Sequence, residues 1–207
     1  MGIDKPKGTW AGMYSLLTLI NPMQYVVTVH ISGLFTDVTN IFNLSQFNPS
    51  NLNLVGASQT TDGFTGTVNV LAGGFCPHLL QFGSLQCIQS GTINATGKTI
   101  RVGSNATGTY WGLFCEGANA SITLINCTIE YSQNPGPTVG NYGSQLWIRQ
   151  CNFVAIGTIN RSPWCLSQGG TVTFYSGGAT KTVNITNAST GALTDSNNGF
   201  IFVAFAL

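Results

Sequence analysis

The sequence predicts an all-β fold, a parallel β-helix (solenoid) with coils of about 22–26 residues, and three observations predict it. One phrase occurs twice, as Ile122-Thr-Leu-Ile-Asn-Cys-Thr-Ile129 and as Leu146-Trp-Ile-Arg-Gln-Cys-Asn-Phe153. Each copy alternates apolar and other residues, the signature of a strand with one buried face, then bends at an amide and resumes. The opening of the phrase recurs at Ile100 and at Val172, so starts fall at 100, 122, 146 and 172. Finally, Gly, Asn, Ser and Thr supply most of the polarity, as suits tight corners between short strands. In such a solenoid no coil buries its own apolar face, and each covers the one below.

In chain order, residues 1–12 carry Lys5 and Lys7 around Pro6 and read as a docking arm. Residues 15–20 and 25–31 read as two short strands split by Asn21-Pro22, and no amphipathic helix stands out. Residues 33–50 read as irregular, with Phe35, Ile41, Phe42, Leu44 and Phe47 available for packing. Residues 1–50 are therefore expected to form an N-terminal arm and capping segment, and 51–207 the solenoid. Leu52-Asn-Leu-Val-Gly56 and Leu85-Gln-Cys-Ile-Gln89 read as early coils, and 67–71 as a strand before a Gly-Gly turn. Segments 134–143, 162–165 and 167–170 read as loops between coils. The last strand, from Phe200, is apolar on both faces and needs cover from the solenoid end or from another subunit.

Composition removes several function classes. Only 6% of residues are charged and the net charge is +1, too little positive field to hold duplex nucleic acid. The apolar run over 13–31 is interrupted by Asn21, Pro22 and Gln24, so no membrane insertion is expected. The six cysteines show no CxxC spacing, which argues against a zinc site; no metal and no cofactor are expected. They read mainly as buried thiols, with Cys127 and Cys151 stacked inward and Cys76 with Cys87 the first pair to check for a bond. Several N-x-S/T triplets occur, as chance provides in so Asn- and Thr-rich a chain, and Asn126 is expected at an inner corner.

If Ile122, Leu124, Leu146 and Ile148 point inward, their neighbours form an outer face. Stacking the four clear starts puts Arg101, Thr123, Trp147 and Thr173 in one outer column. Gly103, Ile125, Arg149 and Tyr175 then form the next. The candidate binding or interface surface is thus Arg101, Ile125, Trp147, Arg149 and Tyr175. An exposed Trp and Tyr flanked by Arg suits a protein–protein contact, with sugar stacking as the competing reading. Catalysis is less well provided for. Glycoside hydrolysis needs two carboxylates about 5–10 Å apart, and the clear coils offer only Glu116 and Glu130. His30 and His78 have no acid or thiol arrangement around them that suggests a triad.

The two phrases, Ile122-Thr-Leu-Ile-Asn-Cys-Thr-Ile129 and Leu146-Trp-Ile-Arg-Gln-Cys-Asn-Phe153, resemble the coils of the right-handed parallel β-helix superfamily, which includes pectate-lyase-like enzymes and phage tailspikes. The resemblance covers about residues 52–207. Its enzymes cut polysaccharides with Asp or Glu clusters and Arg, and this chain has no matching cluster. It therefore implies the non-enzymatic side: a structural or adhesive bacteriophage virion protein, such as a tail fibre, tailspike or head/neck decoration. That reading implies a homotrimer in an extracellular particle, contacting other virion proteins and host cell-surface polysaccharide. The alternative is a polysaccharide depolymerase or lyase using Glu116 and Glu130.

Overall fold

A computed structural model describes residues 9–20, 25–37, 39–103, 112–131, 139–149, 151–159, 165–168, 171–175, 184–188, 193–196 and 200–204. The chain is a parallel β-solenoid, mostly strands with a single short helix. Four regular turns of three strands each account for its later part. They are β7 (Thr99–Val102), β8 (Leu113–Glu116) and β9 (Ser121–Ile125); β10 (Thr128–Tyr131), β11 (Val139–Tyr142) and β12 (Gln145–Arg149); β13 (Asn152–Ile159), β14 (Cys165–Gln168) and β15 (Thr171–Tyr175); and β16 (Asn184–Ala188), β17 (Leu193–Ser196) and β18 (Phe200–Ala204). Each strand pairs in parallel with its counterpart a turn away, so the three strands of a turn generate three faces.

The earlier part winds more continuously. Strands β5 (Gly63–His78) and β6 (Leu80–Thr96) each contribute to all three faces before the chain turns. Below them, β2 (Leu34–Phe35) and β3 (Thr39–Leu44) pair with β5. A smaller parallel ladder joins β1 (Val27–Ile31), β4 (Leu52–Gly56) and residues 76–78. Pairing therefore reaches well before residue 51. Residues 39–44, expected to be irregular, form a strand with strict alternation: Phe42 and Leu44 are buried, Ile41 is exposed. Segments 139–142 and 165–168, expected in loops, are the middle strands of their turns.

The larger correction is at the N-terminus. Residues 10–17 form a helix, α1 (Trp10–Leu17), not the start of a strand. Trp10, Met13, Tyr14 and Leu17 recur at i, i+3, i+4 and i+7, which puts them on one face. Thr9 caps the helix, its Oγ1 accepting the Gly12 N–H at 3.2 Å. Trp10 stacks on Phe42 with ring centroids 3.7 Å apart and meets Phe64 edge-on at 5.4 Å. Phe35, Phe75 and Phe82 extend this aromatic plug. A solenoid's first rung has no neighbour below, so its inward rings need such a lid.

Inside the regular turns the described filling is mainly aliphatic, with Tyr131 fully buried among it. The repeated phrase stacks as its pattern requires: Ile122 pairs with Leu146 and Leu124 with Ile148, all fully buried. Each such side chain contributes on the order of 1.5–3 kcal/mol by leaving water. Asn126 makes the corner with φ +53°, the left-handed region that Asn tolerates better than most residues. Its own side is exposed, so it does not lie at an inner corner. One turn earlier Gly97 occupies the equivalent corner with φ +64°. The Gly97 N–H donates to Ile125 O and the Asn126 N–H to Arg149 O, both at 2.9 Å. Cys76, Cys87, Cys115, Cys127 and Cys151 are all buried free thiols, so Cys76 and Cys87 are not bonded. No helix among the described residues is long and apolar enough to cross a membrane.

Candidate functional site

The register divides the predicted surface residues between two faces. On the face formed by β6, β9, β12, β15 and β18, Trp147 lies between Thr123 and Thr173, and Arg149 between Ile125 and Tyr175. Four of the five predicted residues, Ile125, Trp147, Arg149 and Tyr175, thus occupy neighbouring rungs of one sheet. Arg101 does not join them. It pairs with Gln81 below and Glu130 above, on the face of β7 and β10. The place assigned to it beside Thr123 belongs to Asn94.

The reason is physical. Alternation at period two is the same on every face of a solenoid, so it says which residues point outward but not which face they share. Ile100 and Ile122 open similar phrases on different faces. The run that does continue the Trp147 face downward is Thr92-Ile-Asn-Ala-Thr96. Its alternation was available in the sequence but weak, because Ala95 is the smaller of its two inward residues.

This face is open. Trp147 is 53% exposed, and Asn94, Thr96, Gln145 and Arg149 are exposed around it. Ser121, Thr123 and Ile125 are half-buried beside them. The face carries amides, hydroxyls, one indole and Arg149, and its described outward positions include no carboxylate. Neighbouring rungs repeat at about 4.8 Å, and alternate residues along a strand at about 6.6–6.8 Å. The result is a regular grid of hydrogen-bonding groups around the exposed Trp147 indole.

The face of Arg101 is closed by contrast. Arg101 Nε and Nη2 donate to Glu130 Oε2 at 2.9 and 2.8 Å, and both side chains are four-fifths buried. The loop 57–62 lies over them. Gln59 Nε2 donates to the other Glu130 oxygen at 3.1 Å, and Gln81 Nε2 donates to Thr60 O at 3.1 Å. The loop itself is tied by Asp62, whose carboxylate accepts N–H groups from Gly33, Ala57 and Ser58 at 2.7–3.0 Å. The Gly33 N–H is the main influence holding the Asp62 carboxyl below its usual range, and burial opposes it.

The candidate carboxylates are separated. Glu130 is on β10 and occupied on both oxygens, whereas Glu116 ends β8 on the next face, exposed and opposite Tyr142. The two are not on one face and do not flank a common groove. The negative charge of Glu116 and, more strongly, burial raise the Tyr142 hydroxyl above its usual value. His78 Nδ1 accepts the Thr99 N–H at 3.3 Å, and burial lowers its pKa, so the ring serves the fold as a neutral acceptor. Among the described residues no three His, Cys, Asp or Glu side chains gather to hold a metal ion.

Fold and face together define the class: a parallel β-solenoid protein with an open sheet face whose described outward positions hold no carboxylate. Comparison with protein-family models, with curated proteins and with solved structures found no match.

Proposed function

We propose that this chain is a structural and adhesive protein of a bacteriophage particle, assembling as a homotrimer and holding host cell-surface polysaccharide rather than cutting it. What carries the reading is Trp147, more than half exposed at the centre of a regular grid of amides and hydroxyls. Pyranose rings present C–H faces that pack on an indole and rims of hydroxyls that match Gln145, Asn94 and Thr123. Held charge is not required, and the described outward positions of that face include only one charged residue, Arg149. The depolymerase alternative needs Glu130 as an acid or nucleophile, and Glu130 is bonded by Arg101 and Gln59.

The test is binding of capsule or O-antigen polysaccharides, followed by tryptophan fluorescence or calorimetry. Trp147→Ala is expected to weaken binding at least tenfold while leaving the far-ultraviolet circular dichroism and Tm unchanged. Unchanged affinity in that variant overturns the assignment of this face. Release of reducing ends that disappears in Glu130→Gln favours the depolymerase instead. Light scattering should give three times the chain mass, and a monomer sinks the trimer.

A further inference from the structure

We infer that Cys127 and Cys151 form a redox-controlled staple between consecutive turns of the solenoid, a property independent of any ligand on the Trp147 face. The two residues follow equivalent corners, Cys127 between β9 and β10 and Cys151 between β12 and β13, and both are buried. The Cys127 N–H donates to Cys151 Sγ at 3.4 Å, which sets the Cys151 sulfur against the Cys127 backbone. Their remaining contacts hold them in place: Cys127 Sγ lies 3.3 Å from both Ala95 O and Ile125 O, which share its one S–H. The one S–H of Cys151 is likewise shared between Leu124 O at 3.4 Å and Arg149 O at 3.3 Å. Neighbouring parallel strands run about 4.8 Å apart, within the Cα separation of about 4.4–6.8 Å that a disulfide spans.

A second pair serves as the contrast. Cys87 and Cys115 are also register partners on adjacent turns, and both are fully buried. They sit within strands, where side chains of paired residues run parallel. The Cys115 thiol is engaged by Gln145 O at 3.6 Å and by Ser144. Among the described residues, no hydrogen bond brings a Cys87 atom to the Cys115 sulfur as the Cys127 N–H meets Cys151 Sγ. That contrast favours the Cys127–Cys151 bond over a Cys87–Cys115 bond.

With an azodicarboxamide such as diamide as oxidant, the step balances. The thiolate of one cysteine adds to the N=N bond, giving a sulfur–nitrogen adduct. The second sulfur attacks the first, the S–S bond forms and the S–N bond breaks. Two electrons pass from the sulfurs to the azo group, and the two thiol protons end on the hydrazine nitrogens. A disulfide such as oxidised glutathione supplies the same two electrons' worth of oxidation by exchange. The bond closes a 24-residue step of the chain. That step contains β10, β11 and β12, so the staple clasps the turn that carries Trp147. Cross-linking of this kind restricts the unfolded chain and makes the turn harder to unravel.

The experiment treats the full chain with diamide, blocks remaining thiols with N-ethylmaleimide, and maps peptides by mass spectrometry without reductant. The expected product links the Cys127 peptide to the Cys151 peptide with loss of two hydrogens, while Cys87 and Cys115 are recovered as maleimide adducts. Diamide should also raise Tm by several degrees, and dithiothreitol should reverse the rise. Recovery of Cys127 and Cys151 unlinked, or a Cys87–Cys115 bond in their place, overturns the inference. The map on the unaltered chain needs no variant to fold. Where Cys127→Ser and Cys151→Ser do fold, each should lose the diamide-dependent rise, and a rise retained in either is equally fatal.

Discussion

Two regions of the described solenoid, its first rungs and the regular turns that follow, are filled with different residues. In the first rungs the interior is aromatic, with Trp10, Phe35, Phe42, Phe64, Phe75 and Phe82 in mutual ring contact. From β7 to Cys151 the described interior is mainly Ile, Leu, Val and Cys at repeated positions, with the Tyr131 ring buried among them. An interior rung has a like rung above and below, so branched side chains of equal size tile it. The first described rung, β2 and β3, has no strand paired below it, and the next two rungs are the long continuous strands β5 and β6. Large flat rings fill the wider, less regular space there, and α1 closes it. Regular repetition is thus possible only after an end has been sealed by something that does not repeat.

That contrast can be broken from its sealed side first. Phe64→Ala removes a ring that touches Trp10, Phe35, Phe42 and Phe82, and is expected to destabilise the protein by about 3–5 kcal/mol. Chemical denaturation should show it as a lower midpoint, and a loss under 1 kcal/mol would mean the plug is not what holds the first rungs. Gly73→Ala attacks the same region through the backbone. Gly73 has φ +64°, and a Cβ there would fall 1.7 Å from Leu44 O, so β3 and β5 would have to separate. The outcome to measure is recovery of soluble, folded protein, which should drop sharply.

A middle-sized effect belongs to the loop over Arg101 and Glu130. Asp62→Asn leaves an amide where a carboxylate accepted three N–H groups, at an expected cost of about 1–3 kcal/mol. The pH dependence gives the sign. A carboxyl held below its usual pKa in the folded state stabilises fully above its unfolded value, near pH 4, and that stability is lost as pH falls through the folded value. Acid titration of Tm should therefore drop less steeply in the Asn variant than in the parent; equal slopes would remove Asp62 from the account.

The smallest effect is expected in the regular turns. Ile122→Val trims one methylene from a stack in which Ile93, Ile122 and Leu146 are all buried, and should cost about 0.5–1.5 kcal/mol. Hydrogen exchange would localise the loss to the neighbouring turns if stability there is additive between rungs. A loss spread over the whole chain would show that the sealed end and the repeats unfold together.

The sequence by itself determined the class of fold and the inward positions of its repeated phrase. Ile122, Leu124, Leu146 and Ile148 declared their inward direction because side chains alternate along a strand, whatever lies around it. Asn126 declared a corner because few other residues accept a left-handed backbone. The middle strand of these turns stayed hidden, since Val139-Gly-Asn-Tyr142 and Cys165-Leu-Ser-Gln168 are short and carry no shared phrase. The helix at 10–17 was hidden for a different reason: its period was present, but its apolar residues were equally compatible with a strand read over 15–20. What only the tertiary structure decided was which rung lies on which. Arg101 and Trp147 each occupy an outward position of the same pattern, yet one is locked to Glu130 beneath a loop and the other stands open. Turn lengths between strands set that assignment, through contacts such as Gln59 to Glu130 that lie 71 residues apart. No local periodicity carries information over that distance, because it arises from the closing of each turn upon the last.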